Sequence, residues 1–144
     1  MSRTAARIEA GSRQIGEVAE LVGLSLRTIR YYEEVELVMP SGRSAGGFRL
    51  YTDADIERLR LVKSLKPLEF TLEEMRDLVT LRERLAAGAA LDDDDTSRLV
   101  GYADAAASRA VRLRNQLQAV ESTSRVLARQ ARAARRGDTR RRRS

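Results

Sequence analysis

The amino-acid sequence predicts a mainly α-helical protein, in which a winged helix-turn-helix domain precedes one long coiled-coil helix. Three observations carry this expectation. Two short amphipathic segments, within residues 15–34, are parted by Gly23 and Ser25. A Pro/Gly-rich loop over residues 40–47 then runs into Phe48-Arg49-Leu50-Tyr51, a pattern that reads as a short β-hairpin beside the second segment. From residue 99 onward, apolar and small residues recur in alternating steps of four and three, the 3.5-residue period of a coiled coil.

Residues 1–13 show no period and are expected to form a flexible start. In the first helix, Ile15, Val18, Ala19 and Val22 share a face. Gly23 suits the tight turn that follows, because positive φ costs glycine little. Ser25 can cap the second helix, its side-chain oxygen accepting from an otherwise orphaned N–H of the first turn. Ile29 faces inward, while Arg27, Thr28, Arg30 and Tyr31 offer donors on the outer face. The second helix of such a pair can enter the DNA major groove. Pro40 stops any continuation.

Thr52 caps a third helix, and Asp53 and Asp55 in its first turn suit the positive end of the helix dipole. Ile56, Leu59, Val62 and Leu65 recur at core spacing until Pro67. Thr71 with Glu74 has the capping-box form that opens a fourth helix, with Met75, Leu78 and Val79 inward. These elements delimit a domain over residues 14–85.

Residues 86–95 are expected to be a linker that ends in four consecutive Asp, Asp92 to Asp95. Negative charge is favoured where such a run feeds a helix N-terminus. Adjacent carboxylates diverge, and the spacing of a calcium loop is lacking, so no metal site is expected. Residues 96–135 then carry the heptad stripe: Leu99, Ala103, Ala106, Ala110, Leu113, Leu117, Val120, Ser124, Leu127, Ala131 and Ala134. One isolated helix would leave that stripe wet, so it needs a partner; packing on the fourth helix is the intramolecular alternative. Residues 136–144 are too charged to pack and are expected to be a basic disordered tail.

The chain has 144 residues and no Cys, His or Trp. Metal centres built on thiolate or imidazole are thereby excluded, and no cofactor is expected. No apolar run approaches the roughly 20 residues of a membrane helix, so a cytoplasmic protein with no membrane partner is expected. The formal charge is +6, but residues 129–144 hold eight Arg against one Asp, which leaves −1 for the rest. Any DNA-binding case therefore rests on where cations sit, and the total adds little.

Ile15-Gly16-Glu17-Val18-Ala19, Thr28-Ile29-Arg30-Tyr31-Tyr32-Glu33, Phe48-Arg49-Leu50-Tyr51 and Thr71-Leu72-Glu73-Glu74-Met75 resemble, in this order, the MerR family of bacterial transcriptional regulators. The resemblance covers roughly residues 14–80. It implies that the second helix enters the major groove. Arg27 is then the first candidate for a base contact, since a guanidinium binds the guanine edge bidentately. Ser25 and Thr28 would meet bases or phosphates. Tyr31 and Tyr32 fall where the family's paired tyrosines sit, with hydroxyl-to-phosphate contacts implied; aromatic core is the other reading. Arg30 has two readings as well, a DNA contact or a bridge to Glu33 or Glu34. Arg43 and Arg49 match basic wing positions, Lys66 a phosphate-gripping position, and Tyr51 either a wing contact or its packed root.

The resemblance further implies an antiparallel pairing of the long helix with its copy, through Leu99, Ala103, Ala106, Ala110, Leu113, Leu117, Val120 and Leu127. Such a homodimer would bind a palindromic promoter operator in double-stranded DNA and serve RNA polymerase by bending and untwisting the spacer. An effector-independent repressor or architectural DNA-binding protein is the alternative within DNA binding. A coiled-coil adaptor is the alternative outside it. No constellation of catalytic groups is evident. The thiolates that the resemblance implies for the family's metal-sensing members are lacking, so the effector, if one exists, is unknown. Glu36 and Glu69 stand where many relatives have Gly, Phe48 replaces the commoner Tyr, and Pro67 is unusual.

Overall fold

A computed structural model describes residues 11–144, and the chain divides into two units, Met1–Tyr102 and Ala103–Ser144. The expected flexible start lies outside the described residues, except for its last three. In the first unit the elements run β1 (Arg13–Gln14), α1 (Ile15–Val22), α2 (Leu26–Glu34), β2 (Gly42–Arg43), β3 (Arg49–Tyr51), α3 (Asp53–Leu65), a 3-10 turn (Lys66–Leu68) and α4 (Leu72–Ala86). Helix α5 (Asp93–Arg143) begins in this unit and continues into the second.

The two helices of the helix-turn-helix end as their residues dictate. Gly23 closes α1 at φ 73°, its N–H donating to the Ala19 carbonyl at 2.9 Å. Neither α1 nor α2 has a basic residue in its last turn. Cations from other helices fill that role. Lys63 of α3 donates to the Val22 carbonyl at 2.8 Å, and Arg76 of α4 donates to the Val35 carbonyl. Positive charge at those ends complements the helix dipole and satisfies carbonyls that the helix leaves free.

The sheet is three-stranded and antiparallel, in the order β1-β3-β2. Hairpin β2–β3 is the expected wing. Strand β1 takes Arg13, the last residue of the expected flexible start, into the sheet, since Arg13 pairs with Tyr51 and Gln14 with Leu50. Two residues are too few to show an alternating pattern, so only the partner strand defines them. In the core beneath, Val18, Ile29, Tyr51, Leu59, Val62 and Leu81 are fully buried. Closing it, Thr52 and Asp55 form a reciprocal capping box at α3, as Thr71 and Glu74 do at α4. Asp55 does more than face a dipole. It is buried, and accepts from the Ser41 N–H at 3.0 Å and hydroxyl at 2.6 Å and from Arg58 at 2.7 Å. The loop before the wing is thus tied to the start of α3. Glu36 and Glu69 are left-handed, at φ 57° and 61°, a conformation that side chains with a Cβ disfavour.

The linker and the tail are both shorter on irregular structure than expected. Helix α5 starts at Asp93, inside the Asp run, and the Asp92 carboxylate accepts from the Asp95 N–H at 2.7 Å. At the other end it stays helical to Arg143, where a disordered tail was expected from residue 136. Ala and Arg are strong helix formers. An Asp138–Arg142 pair at 3.2 Å bridges one turn, and the terminal arginines suit the negative end of the dipole. Within the second unit every residue after Ala110 is exposed in the single chain, with Leu117, Val120 and Leu127 at 56, 61 and 60 %. Among the described residues no helix is long and apolar enough to cross a membrane.

Candidate nucleic-acid interface

Helix α2 turns one face to the core and one outward because its apolar residues recur three apart. Ile29 and Tyr32 are buried, while Leu26, Arg27, Arg30 and Tyr31 are exposed. Ser25 caps the helix as its position predicts, accepting from the Thr28 N–H at 3.1 Å, with the two hydroxyls 2.8 Å apart. Among the described residues neither Arg27 nor Arg30 has an ion-pair partner, so each guanidinium presents its full fork of donors. Arg30 thus makes no bridge to Glu33 or Glu34 among the described residues. Its expected partner Glu33 is occupied by Arg49, with Arg43 at 3.8 Å.

That ion pair fastens the wing to α2. Arg43 also donates to the Gly47 carbonyl at 3.0 Å, and Ser44 holds the tip by accepting from the Phe48 N–H at 3.1 Å. Phe48 itself is 61 % exposed at the tip. An aromatic ring held in water at the end of a hairpin is an addition that the sequence reading did not single out. Arg43 remains exposed, and Arg49 is half-buried against the carboxylate. Lys66 is exposed at the start of the 3-10 turn that carries Pro67, with Glu69 left-handed at its end.

The tyrosines separate. Tyr31 is half exposed, its ring 6.0 Å from that of Tyr32 and tilted by 49°. Tyr32 and Tyr51 belong to the core, and neither hydroxyl has a hydrogen-bond partner among the described residues. This corrects both as outward DNA contacts. Tyr32 lies three residues after Ile29 on the inward stripe, and Tyr51 sits in the central strand, at the packed root of the wing. Burial pushes the Tyr32 phenol up, with Tyr31 adding to it. Burial and then Glu33 push Tyr51 up to about 12.

Another cluster lies where α5 begins. Asp95 is buried and paired with Arg84 of α4 at 2.7 Å and with Arg98 at 2.9 Å. Arg98 also grips Asp77 of α4 with two nitrogens at 2.9 and 3.3 Å, and pairs with Asp94. The Tyr102 hydroxyl donates to Asp77 at 2.7 Å, and its ring stands edge-on to Phe70 at 6.0 Å. Arg98 above all, with Tyr102, holds the Asp77 carboxyl below the usual range, and Arg84 first and then Arg98 do so for Asp95. The same contact with Asp77 pushes Tyr102 up to about 12. Carboxylate oxygens of Asp92, Asp94 and Asp95 lie within 4.8 Å of one another. Their contacts are those of a helix start and an ion-pair cluster. Nothing local in the sequence pairs Asp77 with residues 21 and 25 positions later.

Residues 13–81 match a family model described as the MerR HTH family regulatory protein. The chain is 41% identical over 69 residues to the HTH-type transcriptional regulator ZntR of Escherichia coli (strain K12), covering 48% of this chain and 49% of that one. It is 41% identical over 66 residues to the HTH-type transcriptional activator mta of Bacillus subtilis (strain 168), covering 46% of this chain and 26% of that one. The chain therefore spans about half the length, or less, of these curated relatives. Among solved structures it is similar to a MerR-family transcriptional regulator from Bacillus cereus, with TM-score 0.55 and 27% identity over 78% of this chain and 75% of that one.

Proposed function

The chain belongs to the MerR family of helix-turn-helix regulators through residues 13–81, and on that premise we propose that it is a homodimeric transcription regulator of a promoter operator. The observation that carries this reading is the outer face of α2, where Arg27, Arg30 and Tyr31 stand exposed and both guanidinium groups are unpaired among the described residues. In this reading Arg27 meets a guanine edge in the major groove, with Ser25 and Thr28 beside it. Tyr31, Arg43, Arg49 and Lys66 hold phosphates on either side. Phosphate contacts position the protein, and base contacts choose the sequence.

The dimer of this proposal forms along the stripe Leu99, Ala103, Ala106, Ala110, Leu113, Leu117, Val120 and Leu127, with a second, antiparallel copy. Two α2 helices so held must match groove repeats about 34–36 Å apart. Where straight DNA does not match, binding bends it, at a cost of order 1–6 kcal/mol that the phosphate grips offset. Drawing two promoter elements onto one face for RNA polymerase would make the protein an activator.

Footprinting on selected genomic fragments tests the reading. A two-fold site inside an overlong promoter spacer, hyper-reactive at its uncontacted centre, is expected. Arg27→Ala should reduce discrimination between operator and random DNA by about 1–3 kcal/mol. An unchanged preference would mean that α2 is not the reading helix. A flat footprint outside the spacer would leave a simple repressor.

A further inference from the structure

Six arginines near the end of the long helix lie along one side of it. Arg125, Arg129, Arg132, Arg136, Arg140 and Arg143 follow one another by four, three, four, four and three residues in α5. At about 100° per residue they lie within an arc of about 80°. All six are exposed, and among the described residues none has an ion-pair partner. The one acid in this stretch, Asp138, pairs with Arg142, which is off the stripe. The heptad positions Leu113, Leu117, Val120, Ser124, Leu127, Ala131 and Ala134 centre about 150° away on the same helical wheel.

We propose that this arginine stripe is a second DNA-contacting surface, which takes the phosphate backbone of a duplex independently of base sequence. The choice of DNA as the polyanion rests on the function proposed above. Like charges three and four residues apart destabilise a helix, so an all-Arg row calls for an anion with closely repeated charge. Duplex DNA supplies one charge per about 1.7 Å of its axis. The first 128 residues sum to −1, so the chain's net positive charge lies in the segment that carries most of the stripe. A coiled-coil partner does not fit the stripe, because the heptad face points elsewhere. A lipid surface is disfavoured too. Membrane-lying helices set a bulky apolar face against their basic one, and past Leu127 this helix offers Ala131, Ala134 and Asp138 there.

Two full-length variants of equal charge separate the stripe from mere net charge: Arg132/Arg136/Arg140→Gln on it, and Arg135/Arg141/Arg142→Gln off it. Affinity for random-sequence duplex is measured across a salt series, alongside operator binding by the wild type. Losing three phosphate contacts should make the log–log salt slope shallower by about 2.5, with at least about tenfold weaker binding at low salt. The off-stripe variant should change the slope by less than about 1. Equal effects of the two variants, or no effect of the first, would overturn the stripe. So would loss of the dimer in sedimentation with the on-stripe variant alone, or tighter binding to phosphatidylserine vesicles than to DNA. A wild type that binds neither operator nor random duplex would overturn the proposed function itself. Operator binding with an unaltered on-stripe slope would overturn only the stripe.

Discussion

Leu59 in α3 and Leu117 in α5 are the same side chain in opposite surroundings, the first 0 % and the second 56 % exposed. Around Leu59 the winged unit buries its own apolar residues, caps its helices reciprocally and borrows cations where a helix end lacks one. Around Leu117 the heptad stripe runs through a unit that buries nothing after Ala110. The helix there is sustained by backbone propensity and, near its end, by the Asp138–Arg142 pair. The comparison teaches that one hydrophobic pattern can specify two things. In the winged unit it specifies a fold. In the second it specifies a surface whose stabilising contribution awaits contact.

The largest expected effect breaks the first side of that comparison. Leu59→Ala should lower the stability of the winged unit by about 2–5 kcal/mol, read as a shift in urea midpoint that does not depend on protein concentration. Leu117→Asp addresses the other side. It should leave that midpoint in place and abolish association, since each chain forfeits roughly 1.5–3 kcal/mol of apolar burial and must bury a charge. Sedimentation at micromolar concentration reads it, and a monomeric wild type would defeat the idea of a seam.

Asp77→Asn sharpens the comparison where α5 leaves the winged unit. It should cost about 1 kcal/mol, the pairs being partly exposed. Asp77 and Asp95 have depressed folded values, so their contribution is present above the ordinary carboxylate range and is lost as pH falls below that range through the depressed folded values. Acid titration of wild type and D77N should show a smaller pH-dependent loss in the variant. The smallest effect is a gain. Glu36→Gly should stabilise the winged unit by about 0.5 kcal/mol, the left-handed penalty outweighing glycine's entropy, as thermal melting would show.

Much of the winged unit was legible because its signals are local. Ser25, Thr52 and Thr71 announce their helices within three residues, and Gly23 announces a turn that only positive φ completes. Glu36 and Glu69 were legible as misfits, acids at positions that the backbone reserves for glycine. Strand β1 was not, because two residues carry no period. Tyr32 and Tyr51 stayed ambiguous until packing assigned them, since a tyrosine serves a core and a surface equally well. The Asp77–Arg98–Tyr102 cluster was invisible because its members meet only after α4 and α5 are folded. The basic end was misread because charge density argued for disorder, while Ala and Arg propensity and one acid argued for helix.

Arg76 and Asp77 are neighbours in α4, yet they hold different elements. Arg76 grips the carbonyl at the end of α2, and Asp77 grips Arg98 and Tyr102 in the first turns of α5. A single peptide unit therefore works as a crossbar between the helix with the exposed arginines and the start of the long one. An axial slip of α5 would load that crossbar directly, without first deforming the close-packed core. Coupling of this kind is reciprocal: whatever seats α2 more firmly through Arg76 bears, through the adjacent Asp77, on the seating of the first turns of α5 up to Tyr102.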